Sequence, residues 1–181
     1  TEPAAVLLHG VTGSGKTEIY LHLVATLLAR DPAAQALILV PEINLTPQLA
    51  AQFAARFGED KVALMHSALT PAQRLNTWLR THLGQAPVVL GTRLAIWASL
   101  PRLRLIIVDE EHDSSYKQQE GARYSARDLA IYRARLDGAK VLLGSATPSL
   151  ESWQACEKGR YVRLTMHARI GQAASTAAEA G

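Results

Sequence analysis

Residues 10–17 read Gly-Val-Thr-Gly-Ser-Gly-Lys-Thr and directly follow a short apolar run, residues 5–9. A Gly-x4-Gly-Lys-Thr segment between a strand and a helix constrains this chain more tightly than any other stretch of it. Its glycines let successive backbone N–H groups turn inward on a phosphate. The helix expected to begin near Lys16 adds its partial positive end. Lys16 can reach the β- and γ-phosphates, and the Thr17 hydroxyl can ligate Mg²⁺. Gly10, Val11, Thr12, Gly13, Ser14, Gly15, Lys16 and Thr17 are therefore the expected cradle of a nucleoside triphosphate.

Such a loop needs a sheet behind it, and the rest of the chain supplies one. Residues 36–40, 62–66, 87–90, 103–108 and 140–143 are mostly Val, Ile and Leu without in/out alternation, as strands covered on both faces should be. Between them, residues 16–30, 45–57, 71–84 and 125–137 repeat apolar positions at spacings of three and four. Strand and helix in alternation predict parallel pairing through right-handed crossovers, hence a three-layer α/β/α fold with a mainly parallel sheet. At 181 residues the chain is one domain long. We expect the domain over residues 1–169, with 170–181, rich in Ala, Ser and Gly, as a loose tail.

Composition closes off several alternatives. With 48% hydrophobic and 19% charged residues the chain is neither a disordered acidic tail nor a fibre. Its one cysteine, Cys156, cannot form an internal disulfide or a four-cysteine zinc site, so no zinc is expected. No apolar run approaches the ~18–20 residues of a membrane span. Residues 1–5 lack the features of a signal peptide, and the expected setting is the cytoplasm. A net charge of +3 permits a nucleic-acid partner without specifying one.

The apolar run 103–108 ends in Asp109-Glu110-Glu111-His112. Carboxyl ends of strands are where open α/β sheets bind ligands. There Asp109 can hold the Mg²⁺ hydration shell, and Glu110 can polarise a water toward the γ-phosphate. An efficient water-activating base would harm a phosphotransferase, so the pair favours hydrolysis over kinase chemistry. Glu111 is the weaker catalytic candidate, and His112 could sense the γ-phosphate. After the run 140–143 comes Gly-Ser145-Ala-Thr147-Pro, whose hydroxyls could switch hydrogen bonds when that phosphate leaves. The bland alternative is an ordinary turn.

Taken in order, Gly-x4-Gly-Lys-Thr, Asp-Glu-Glu-His and Ser-Ala-Thr resemble motifs I, II and III in the first RecA-like domain of superfamily 2 helicases. Residues 39–48 resemble motif Ia, and residues 64–70 and 91–97 resemble the flanking DNA-side motifs. Residues 113–128, DSSYKQQEGARYSARD, are similar to the aromatic-rich loop of the PriA family of replication-restart helicases. Gln73 and Ala68 depart from that family's usual Glu and Gly, both off the nucleotide site.

The resemblance implies ATP and Mg²⁺ as cofactors and a motor moving 3′ to 5′ on single-stranded or forked DNA. Implied partners are a second RecA-like domain, other primosome proteins and single-stranded DNA-binding protein. It implies catalytic roles for Lys16, Asp109 and Glu110, and coupling roles for His112, Ser145 and Thr147. It also implies an arginine finger from the second domain and an adenine-recognising glutamine, neither within these residues, so the chain alone is expected to hydrolyse ATP slowly. Expected DNA contacts are Thr46, Ser67, Thr92, Arg93, Lys117, Arg123 and Arg127, with Tyr116 and Tyr124 either stacking a base or covering the domain's own core. Trp78 and Trp153 read as core or interdomain packing, and His66 and His82 as structural. Rival readings are another superfamily 2 translocase, an RNA helicase, or a nucleotide-gated binding module without turnover.

Overall fold

A computed structural model describes residues 2–166. The expected tail, 170–181, lies outside the described residues, as do Thr1 and 167–169. Seven strands form one sheet: β1 Ala5–Gly10, β2 Gln35–Leu39, β3 Val62–Met65, β4 Val88–Gly91, β5 Leu103–Val108, β8 Lys140–Ser145 and β9 Tyr161–Met166. A two-stranded antiparallel hairpin, β6 Lys117–Gln118 with β7 Tyr124–Ser125, stands apart from it. The helices are α1 Lys16–Arg30, α2 Pro47–Phe57, α3 Pro71–His82, α4 Ala126–Asp137 and α5 Leu150–Glu157.

The sheet order is β3-β4-β2-β5-β8-β1-β9, and every pairing in it is parallel. Central β2 is buried along its whole length, which is why it reads as a continuous run with no polar face. Alternate residues feed two cores. On one side Leu37, Ile106 and Leu143 pack against α4, whose Ala126, Ala130 and Ala134 let the helix approach closely. On the other, Ile38, Ile107 and Leu142 meet Tyr20 and Val24 of α1 and Phe53 of α2. The three-layer α/β/α expectation holds.

Strand β9 was not expected. It extends the sheet beside β1, pairing residue for residue from Ala5↔Tyr161 to Gly10↔Met166. Its middle four residues are exposed, so it carries none of the buried-run signal of the other strands. Helix starts follow capping rules. Thr46, Thr70, Ser125 and Ser149 each accept a backbone N–H at the N-cap of α2, α3, α4 and α5. Gln73 completes a capping box with Thr70, a position where Gln serves as well as Glu.

Candidate nucleotide site and the adjoining face

The strand order gathers the three motifs. β8 lies between β5 and β1, so the loops leaving β1, β5 and β8 emerge side by side on one edge of the sheet. In the first loop Gly13 (φ 78°) and Gly15 (φ 90°) occupy the left-handed region that disfavours side chains. Gly15 is the N-cap of α1. The Lys16 ammonium is buried in the loop and donates to the Gly10 carbonyl at 2.7 Å. Ser14, also buried, closes a turn by donating its N–H to the Val11 carbonyl at 3.0 Å. Thr17 is the second residue of α1, and Val11 and Thr12 lie exposed at the rim.

Asp109 is held from two sides. One turn beyond Thr17, the Tyr20 hydroxyl donates to Asp109 Oδ1 at 2.7 Å. The Tyr116 hydroxyl donates to the main-chain carbonyl of Asp109 and, at 3.1 Å, to that of Leu39. A side chain at Gly144 would overlap the Tyr20 hydroxyl, so the glycine before Ser145 keeps the path to Asp109 clear. Burial pushes the Asp109 carboxyl above its ordinary range, against the lowering pull of the Tyr20 bond and Lys16. Burial, then the neighbouring Asp109 charge, pushes Glu110 up as well. Glu110 is the one non-glycine residue with positive φ (46°) among the described residues. Such strain persists only where surrounding structure enforces it, and it turns Glu110 away from the line of its neighbours.

His112 stands between two hydroxyls. Its Nδ1 is 2.7 Å from Ser145 Oγ, and its Nε2 is 3.3 Å from Thr147 Oγ1. Thr147 N–H donates back to Ser145 Oγ at 3.0 Å. Glu110 Oε2 lies 3.6 Å from His112 Nδ1, so the chain of groups reaches the acidic pair.

Sequence reasoning set Glu111 aside as the weaker catalytic candidate and missed its structural role. Its carboxylate has no exposure, and it accepts from Ser149 N–H (2.7 Å), Ser149 Oγ (3.0 Å), Ser152 Oγ (2.9 Å) and Arg127 Nη1 (3.2 Å). It fastens the acidic loop to the start of α5 and to α4. Nothing adjacent in the chain signals this, because its serine partners lie about 40 residues on. Arg127 is thereby corrected: its guanidinium, 12% exposed, is committed to Glu111, Asp128 and Ser149 and is not free for a phosphate backbone.

The remaining expected contacts line a groove on the same edge. Thr46, Ser67 and Thr92 border its first stretch, and Ser67, Thr92, Arg93 and Tyr124 the next. Thr92 is 2% exposed, and its hydroxyl has no hydrogen-bond partner among the described residues. Arg93 bonds the carbonyls of Ser115 and Lys117, each at 3.1 Å, and so steadies the hairpin. Lys117 and Arg123 are exposed. Tyr116 is corrected: at 1% exposure, its ring in the core, it cannot stack a base. Tyr124 is half-buried and meets Trp97 edge to face at 5.3 Å. Trp97, 57% exposed, was missed as an individual contact although its motif was read. Trp153 stacks under Arg163, whereas Trp78 is 40% exposed and so is no core residue. His82 stacks on Trp78 and bonds Ser99, and His66 borders the groove. Among the described residues no group of three or more His, Cys, Asp or Glu could hold a metal ion, and no helix is long and apolar enough to cross a membrane.

Residues 1–155 match the family model described as DEAD/DEAH box helicase. The chain belongs to the DEAD/DEAH box helicase family. It is 48% identical over 169 residues to replication restart protein PriA of Bacillus subtilis, covering 93% of this chain and 21% of that protein. Against PriA of Haemophilus influenzae it is 51% identical over 165 residues, 91% of this chain and 22% of the other. This helicase-family chain therefore spans about a fifth of the length of those relatives. Its fold is also that of solved helicases. A DUF1998 helicase, MrfA, bound to DNA superposes with a TM-score of 0.64 at 20% identity, over 91% of this chain and 25% of that one. RecG bound to a three-way DNA junction gives 0.57 at 27% identity, over 94% and 22%. The fold is RecA-like α/β.

Proposed function

We propose that this chain is the nucleotide-holding half of an ATP-dependent 3′-to-5′ DNA helicase acting in replication restart at stalled forks. The observation that carries the reading is the β5-β8-β1 adjacency, which puts the phosphate loop, the acidic pair and the His112–Ser145–Thr147 cluster on one edge. The cradle from Gly10 to Thr17 receives the triphosphate, and Lys16 leaves the loop carbonyls to pair with the β- and γ-phosphates. Thr17 and Asp109, an oxygen-only donor set that suits Mg²⁺, would hold the ion, and the Tyr20 hydroxyl on Oδ1 keeps the Asp109 carboxylate in place for it. Bound there, Mg²⁺ would neutralise phosphate charge. Glu110, its basicity raised by burial, takes a proton from water. The water oxygen attacks the γ-phosphorus as the bond to the bridging oxygen breaks, giving ADP and phosphate. Loss of the γ-phosphate repolarises Glu110 and His112, and Ser145 and Thr147 carry the change along the edge.

On the DNA side, Thr46, Ser67 and Arg93 meet the phosphate backbone, with Thr92 buried beneath them and Lys117 and Arg123 adding charge. The unpartnered, buried Thr92 hydroxyl supports a ligand in this groove. Tyr124 and Trp97 replace the expected Tyr116–Tyr124 pair as the surface for a base. The kinship with PriA and the DNA-bound RecG support DNA over RNA as the track. A second RecA-like domain would complete the site with an arginine, worth roughly 10³–10⁵ in rate, so this chain alone hydrolyses slowly. Single-stranded DNA-binding protein and other primosome proteins are its partners in the cytoplasm.

The test is nucleotide binding. Lys16→Ala should weaken ATP affinity roughly 10- to 100-fold by calorimetry while leaving the melting temperature within a few degrees. Undiminished binding would overturn the site assignment.

A further inference from the structure

Helix α3 is set into the molecule the wrong way round. Its buried residues are Thr77 (8% exposed) and Thr81 (0%). Leu75, Leu79 and Leu83, on the opposite line of the helix, are 60%, 43% and 64% exposed, and Trp78 beside them is 40% exposed. Spacings of four put the three leucines in one stripe. An amphipathic helix ordinarily turns this stripe inward. Here two polar tethers fix the opposite setting: Gln35 Nε2 donates to the Thr81 carbonyl at 2.7 Å, and Arg80 Nη2 to the Asp60 carbonyl at 2.7 Å. Gln35 is itself locked, accepting the Arg102 N–H at 2.9 Å. Rotating the leucines inward would strand the buried Gln35 amide and the Thr81 carbonyl it bonds, which is the costlier arrangement, whereas the Arg80 bond lies at the surface.

We infer that the Leu75–Trp78–Leu79–Leu83 stripe is a docking surface for an apolar face carried by another domain of the same, longer polypeptide. Size selects the occupant. Four such side chains offer on the order of 300–600 Å² of apolar surface. A stable complex of separate molecules needs about 800 Å² on each partner, so a second copy would not hold here. A tethered domain meets the patch at an effective concentration in the millimolar range, roughly, and a small patch then suffices. The relatives have room for such a domain, since the chain covers 21% of the Bacillus subtilis protein and 22% of the Haemophilus influenzae one. This surface lies outside the nucleotide site and stands whatever that site does.

Hydrogen exchange on this chain and on the full-length gene product tests the proposal. Amides of residues 75–83 should exchange roughly tenfold or more slowly in the full-length protein. Leu79→Glu should return them to the rate seen in this chain alone, and Leu75→Glu should do the same. In the isolated chain each variant should leave the melting temperature unchanged, because the side chain replaced is already exposed. Equal exchange of α3 in the two proteins would overturn the inference. So would sedimentation of this chain as a dimer that Leu79→Glu dissociates, since the occupant would then be a second copy.

Discussion

Asp109 illustrates how a single residue sets stability against use. Its carboxyl is buried, and its proton is held more tightly in the folded chain than in the unfolded one. Below the ordinary carboxylate range this difference favours folding, and the advantage is lost as pH rises through the raised folded value. At neutral pH the ionised, buried group therefore detracts from stability. Asp109→Asn keeps an oxygen for the Tyr20 hydroxyl and removes the charge. In metal-free buffer it should raise the melting temperature at pH 7, with the gap closing as pH falls into the range where Asp109 is protonated. The same variant should lose ATP turnover. A lower melting temperature at pH 7 would contradict the burial argument. At this scale the sequence separates roles only where a motif fixes the backbone. Lys16 and Asp109 are legible because glycines and a strand end set their surroundings. Tyr116 and Tyr124 are not separable, since each sits among similar polar and basic neighbours. Only the tertiary path of the Tyr116 hydroxyl to two main-chain carbonyls draws its ring into the core.

Elements are joined here by one buried carboxylate. Glu111 holds the loop after β5 to α4 and α5, and each of its oxygens is engaged. Glu111→Ala would leave a partly buried guanidinium and two serine hydroxyls short of their acceptor. Breaking a buried pair from one side costs about 3–5 kcal/mol. In a domain of this size that lowers the melting temperature by on the order of 10 °C. A loss of only a degree or two by calorimetry would mean that the network is slack. Elements buried on both faces were legible as apolar runs, β1, β2, β5 and β8 above all. β9 was not, because Tyr161–Met166 is an exposed edge strand. Helix α3 was legible as amphipathic but not in its orientation, which Gln35 and Asp60 decide from outside the helix.

For the whole molecule, the order β3-β4-β2-β5-β8-β1-β9 matters more than any one motif. Loops widely separated in sequence converge because β8 inserts between β5 and β1, an arrangement that strand and helix alternation implies only as one of several topologies. The groove beside that edge, with the free Thr92 hydroxyl and the Trp97–Tyr124 pair, adjoins the nucleotide loops through the hairpin that Tyr116 and Arg93 anchor. Binding on the groove and hydrolysis at the loops should therefore be linked. The most direct measurement is steady-state ATP hydrolysis with and without single-stranded DNA, for this chain and for the full-length gene product. The account predicts slow, barely responsive hydrolysis by this chain and strong stimulation by single-stranded DNA in the full-length protein. ATP bound by both without DNA stimulation in either would contradict it and identify a nucleotide-gated binding module instead.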